Sequence, residues 1–321
     1  MTAAVSPASA APSRPAGHGL RWWRELIYIV GFYVIYSMVR NTFGSAGASG
    51  LATRHAFGHA LDVIHVEERL RLFVEPTWQR WYLDLPGHGL IRLWNVYYGT
   101  AHFVVTIAAL VVLFRRDPDR YPTWRNTLAF MTLCALVGFA SFTLMPPRLL
   151  GDTGQYGACH HRQANCHGYR FVDTLEVHGG LWSFDSGGMA KVSNQYAAMP
   201  SLHTGWSAWC AFVLWPMLRR RKTKALILIY PVLTVFCILI TANHYWLDAV
   251  GGLVVFAVGY LGGAQMARWS KARRQRRDRR SSPTDPAHGR PVERGGGEQQ
   301  LVAARPDGEA QFGLLSTRLH P

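Results

Sequence analysis

Six apolar runs, at residues 25–43, 90–114, 127–144, 202–218, 225–242 and 245–267, decide most of what this chain can fold into. Each approaches the ~20 residues that a helix needs to cross a hydrocarbon core. Inside lipid every backbone polar group must be satisfied within its own segment, so runs of this length predict helices. A mean hydropathy near zero conceals the pattern, because the polar ends of the chain offset its apolar middle. The first run is too long for the apolar part of a signal peptide, although Ser45-Ala46-Gly47 leaves cleavage as the alternative. The expected fold is an all-α integral membrane protein: a six-helix bundle over 22–267, flanked by an N-terminus (1–21) and a tail (268–321).

Charge sets the expected orientation. Arg115, Arg116, Arg120 and Arg125 separate the second and third runs, and Arg219, Arg220, Arg221, Lys222 and Lys224 separate the fourth and fifth. Further basic residues fill 268–280 and precede the first run at Arg14, Arg21 and Arg24. With six crossings these clusters share one side, which the positive-inside rule makes cytoplasmic. Both termini are then cytoplasmic, in a protein of the plasma (cytoplasmic) membrane. The formal net charge of +15 also fits a nucleic-acid partner. Anchoring at anionic lipid explains the juxtamembrane arginines without one. Composition predicts disorder before about residue 21 and beyond about 281.

Two outward loops carry features of their own. Apolar residues recur at helical spacing through 51–83, including Phe57, Leu61, Ile64, Val66, Leu70 and Phe73. This predicts an amphipathic helix or helix pair in the outer interface, ended or kinked by Pro76. Arg54, His55, His59 and His65 could overlook a site from there, though each alone reads as part of a wet face. In 159-CHHRQANCH-167, the spacing of Cys159 and Cys166 is wide for a zinc pair. On an oxidising face a disulfide between them is the expectation. Cys134, Cys210 and Cys237 lie within apolar runs and read as small apolar fillers.

The chemistry-bearing residues gather at the outer run ends, in 145-MPPRLL-150, 199-MPSLHTGWS-207 and 243-NHYWLDAVGG-252. His244 and Asp248 are four apart and share a helix face. A carboxylate on one ring nitrogen fixes the tautomer and leaves the other free to attack or to take a proton. His203 could supply a second imidazole, and Arg148 a planar cationic fork for phosphate. Trp206, Trp209, Tyr245 and Trp246 are expected to wall the pocket against lipid. Ionisable groups within membrane spans point by default to function, and the spacing by itself reaches as far as phosphate or proton chemistry at the outer face.

PSLH at 200–203 and HYWLD at 244–248 resemble the second and third motifs of the type 2 phosphatidic acid phosphatase superfamily. PPRL at 146–149, the Leu within PSLH, and TRHA at 53–56 look closer to one branch, the inositol phosphorylceramide synthases and their bacterial inositolphosphotransferase-like relatives. The resemblance covers about 22–266. It implies that His244 attacks phosphorus to give a phosphohistidine, that Asp248 orients it, and that His203 protonates the leaving alcohol. No metal or other cofactor is implied. The partners implied are a phospholipid donor and a lipid-alcohol acceptor.

The chain departs from the superfamily pattern at two phosphate-binding cations, with Ser141 in place of a lysine and Ile238 in place of an arginine. Arg148 would then carry more of the phosphate, helped by Arg54 or Lys191, with Ser201 beside His203. The expected function is a phosphotransferase moving a phospho-headgroup, such as inositol phosphate from phosphatidylinositol, to a lipid alcohol. The alternatives are a lipid phosphate or polyprenyl (di)phosphate phosphatase with the same site, and a non-enzymatic membrane protein.

Overall fold

The computed structural model describes residues 21–42, 50–87, 89–151, 169–180 and 195–281. It divides into two units, Met1–Arg274 and Gln275–Pro321, and of the second only 275–281, the end of a helix, is described. The described residues of the first unit are helical, with one isolated parallel pairing of Leu144 with Ala197 and no strand. In chain order the helices are α1 (Trp22–Thr42), α2 (Gly50–Leu70), α3 (Glu75–Leu83), α4 (Gly89–Arg116), α5 (Tyr121–Ser141) and the short α6 (Thr174–His178). They continue with α7 (Leu202–Leu214), α8 (Arg221–Ile240) and α9 (Trp246–Ser281).

Three of these are long and apolar enough to cross a membrane: Leu90–Arg116 in α4, Arg221–Ile240, which is α8, and Trp246–Arg277 in α9. Their outward faces expose Leu93, Val104, Ile107, Leu226, Val232, Val254 and Leu261. A water-soluble protein rarely leaves so much apolar surface uncovered, so this is a membrane protein. The other three expected spans fall short for identifiable reasons. Arg24 and Glu25 occupy the first turn of α1, and Arg125 and Asn126 the start of α5. The run at 202–218 is broken: α7 has 13 residues and gives way to a 3-10 turn at Trp215–Met217, around Pro216.

The segment 51–83 is a helix pair, but its break is not at the proline. Helix α2 ends at Leu70 because Arg71 takes a left-handed backbone (φ 57°). The Leu72 N–H then returns to the Glu67 carbonyl (2.7 Å) and the Arg71 N–H to that of Glu68 (3.0 Å), the usual closure of a left-handed C-terminal cap. Pro76 lies in the first turn of α3, where its missing N–H costs nothing. The buried stripe of α2 is Thr53, Ala56, Ala60, Val63, Ile64 and Glu67, while Val66 and Leu70 are exposed.

Helix α7 packs on α8, α4 and α5, with Trp206, Trp209, Cys210 and Val213 in the main core beside Met131, Leu136 and Phe139 of α5. Trp209 and Tyr245 are wholly buried, their polar ends donating to the Trp124 carbonyl (3.0 Å) and the Met145 carbonyl (3.1 Å). Trp206 is nearly as buried and donates to Thr132. These three rings brace helices, where the sequence suggested lipid-facing walls. Cys210 and Cys237 are buried apolar fillers and Cys134 is half-buried; Cys159 and Cys166 lie outside the described residues.

Candidate active site

The turn between α8 and α9 places the first imidazole. Helix α8 ends as α2 does, with a non-glycine residue, Ala242, in the left-handed region (φ 51°). The Ala242 N–H returns to the Leu239 carbonyl (2.9 Å) and the Asn243 N–H to that of Ile238 (3.0 Å), which also accepts the His244 N–H (3.2 Å). A left-handed residue with a Cβ is strained by roughly 1–2 kcal/mol. The surroundings enforce it: Ala242 is fully buried and its carbonyl accepts the Arg148 N–H (2.7 Å).

Asp248, in the first turn of α9, then serves three contacts. Its Oδ2 accepts from the Tyr245 N–H (2.9 Å), reaching back to cap its own helix. The same oxygen pairs with His244 Nδ1 (3.2 Å). Its backbone carbonyl accepts the Ser201 N–H (2.9 Å), locking the start of α7 onto the start of α9. At Gly252 the two helices approach so closely that a Cβ would collide with the Ser201 carbonyl oxygen. His203, in the first turn of α7, is thereby held with Nδ1 3.3 Å from His244 Nε2.

Hydrogen-bond logic assigns the protons. An ionised Asp248 can only accept, so His244 Nδ1 carries a hydrogen and Nε2 offers its lone pair. The proton between the rings therefore sits on His203 Nδ1. His244 (3% exposed) and Asp248 (0%) are buried, whereas His203 is half-buried. The site thus opens on the His203 side.

The other predicted residues divide. Arg148 is brought close through its backbone, but its guanidinium is engaged, Nη1 with Asp173 and Nη2 with Gln195 Oε1 (2.6 Å). Ser201 is a helix cap: its Oγ accepts the Thr204 N–H (3.4 Å) and is wholly buried. Arg54 lies on the exposed face of α2 with His55, and His65 is exposed further along. His59 instead donates through Nδ1 to the Thr143 carbonyl (2.7 Å) and stacks on Phe142. Lys191 is outside the described residues. Ser141 caps its own helix carbonyls and Ile238 is apolar core, so neither substituted position supplies a polar group to the site. Among the described residues no three His, Cys, Asp or Glu side chains converge as a metal site.

Four residues were missed. Tyr98 of α4 stacks on His203 (4.3 Å between centroids, 20° between planes), and His102, one turn on, meets it edge to face at 4.3 Å. An ionisable residue inside an apolar run was the signal available for His102. Glu67 of α2 and Glu75 of α3 are fully buried at the start of α9, Glu75 accepting the Trp246 N–H (3.0 Å) and Glu67 the Leu247 N–H (2.8 Å).

A buried His–Asp pair facing a second histidine has the groups that acid–base and nucleophilic chemistry requires. The family model described as the PAP2 superfamily matches residues 61–262, from α2 to within α9. The chain belongs to that superfamily, whose membership fits phosphatase or phosphotransferase activity. No curated protein and no solved structure matches it.

Proposed function

We propose that the protein is a lipid phosphotransferase working through a phosphohistidine on His244. The observation that carries this reading is the polarity of the triad: Asp248 occupies Nδ1 of His244, and Nε2 is directed at the proton-bearing nitrogen of His203. The donor's phosphodiester takes its place between the rings. Nε2 attacks phosphorus, the P–O bond to the diacylglycerol oxygen breaks, and His203 gives that oxygen its proton. The acceptor's hydroxyl then returns a proton to His203 as its oxygen attacks phosphorus and the N–P bond breaks. The same residues serve water as acceptor, which would make the enzyme a phosphatase. The chemistry routes no step through a metal.

Arg148 remains the leading phosphate ligand on this reading, because its Nε is buried without a partner and such donors are rarely left unused. Lys191 and Arg54 stand behind it. The phospho-headgroup proposed is inositol phosphate, after the branch-like PPRL and TRHA segments. In the proposed topology α1, α5 and α7 complete six crossings, with the termini and basic loops cytoplasmic and the triad at the outer leaflet of the plasma membrane.

The test is incubation of the purified protein with labelled phosphatidylinositol and mixed lipid alcohols, products being read by mass. A new inositol-phosphate lipid, lost in His244→Ala, supports the transferase. Free phosphate released from lipid monophosphates in a parallel incubation, without transfer product, establishes the phosphatase instead.

A further inference from the structure

Three carboxyl groups converge on the first turn of α9, and the triad uses one of them. The other two, Glu67 and Glu75, arrive from opposite sides of the α2–α3 turn, and each spends Oε1 on one backbone N–H of α9. Both Oε2 atoms are buried with no donor in reach, and the two Oε1 atoms sit on neighbouring N–H groups, Glu75 on that of Trp246 and Glu67 on that of Leu247. The groups facing them are Asp248 and Tyr245 at the start of α9 and, beyond Tyr245, Tyr169. Among the described residues no Lys or Arg pairs with either acid.

Two ionised carboxylates on neighbouring N–H groups, with Asp248 nearby and no cation, would repel strongly in a buried setting. A single proton between the two Oε2 atoms removes one charge and gives both orphan oxygens a partner. It leaves both Oε1 atoms free to accept, as the cap of α9 requires. We propose that Glu67 and Glu75 share one proton and act as positioning residues, fixing the start of α9 and through it the geometry of His244 and Asp248. The left-handed Arg71 fits this role, since the turn it forms lies between Glu67 and Glu75 and lets helices α2 and α3 each present one acid to α9.

The titration agrees with the geometry. Burial first, and then Glu75, push the Glu67 carboxyl up to about 9, and burial also raises Glu75. The folded protein therefore keeps a proton that the unfolded chain releases above its ordinary value of 4.5. The resulting stability is complete below that pH and is lost as pH rises through about 9.

The role in catalysis rests on the function proposed above, so the test includes readouts independent of turnover. The full-length protein in detergent is compared as wild type, Glu67→Gln, Glu67→Gln/Glu75→Gln and Glu67→Ala/Glu75→Ala. Infrared spectra of the wild type at neutral pH should show a protonated-carboxyl stretch that disappears at alkaline pH and is absent from the double Gln variant. In Glu67→Gln an amide N–H replaces the shared proton, so neutral kcat survives and the alkaline fall in Tm and kcat is relieved. The double Ala variant strands two N–H groups, and kcat should fall roughly 10- to 100-fold at unchanged KM, the scale on which lost orienting partners act. Its His244 should also show altered reactivity to a histidine-selective acylating reagent, read by mass. Absence of the carboxyl band, or a Glu67→Gln variant with the wild-type alkaline fall, overturns the shared proton. Unchanged kcat and His244 reactivity in a folded double Ala variant overturns the positioning role. If no variant turns over any lipid phosphate, the proposed function fails while the infrared, Tm and reactivity results still decide this one.

Discussion

The two ends of the bundle handle charge in opposite ways. At the end carrying the basic loops the charges include an exposed local pair, in which Arg120 bonds Asp117 three residues away (3.1 Å), with side chains 31% and 28% exposed. Arg125 pairs with Glu25 across α1 and α5 and lies over the rings of Tyr28 and Tyr121. At the other end Arg148, Asp173, Glu67, Glu75 and Asp248 are all buried, bonded to backbone groups and to each other. Exposed pairs contribute little and tolerate loss. Buried charges are costly unless the surrounding geometry satisfies them, and breaking such a set is strongly destabilising. On the proposed topology charge at the first end orients the protein; charge at the second is built into the packing around His244.

This contrast can be tested most severely at His244. His244→Ala should lower turnover of lipid phosphate by on the order of 10⁴-fold or more while the protein still elutes as a folded species in detergent; a variant with full activity would sink the nucleophile assignment. Asp248→Asn comes next. It preserves shape and still accepts the Tyr245 N–H but no longer fixes the Nδ1–H tautomer, so kcat should fall by roughly 10³–10⁴-fold in a protein that still elutes as a folded species.

Gly252→Ala probes the helix contact beneath the triad. The added Cβ meets the Ser201 carbonyl and crowds Thr204 and Gly205, which should cost about 1–3 kcal/mol as overpacking and lower kcat as His203 shifts. Gly31→Ala, with open space around its position, is the matched control and should leave both Tm and kcat unchanged. The smallest effect belongs to the opposite end: Asp117→Asn should change stability by less than about 1 kcal/mol, measured by denaturant unfolding in mixed micelles. A larger loss there than at Gly252 would erase the distinction between the ends.

How legible each part was depended on the range of the interaction. His244 and Asp248 were readable because a four-residue spacing on a helix guarantees a shared face. The helix pair over 51–83 was readable from its period, but its break was misplaced at Pro76, because nothing local marks Arg71 as left-handed. The run at 202–218 looked long enough to span, and the 3-10 turn around Pro216 shortened its helix. Arg54 sat in a motif-like stretch yet points away from the buried stripe of α2. Glu67 was hidden beside Glu68 in a charged stretch that reads as wet surface.

What the sequence by itself determined is the apolar runs, the charge asymmetry between their ends and the local pairing of His244 with Asp248, all properties of neighbours along the chain. Only the tertiary structure decided that His203 faces His244, that Tyr98 and His102 pack against it, and that Glu67 and Glu75 cap α9. Those contacts join helices far apart in sequence, and their register is set by close packing at points such as Gly252 against Ser201, which no local pattern encodes.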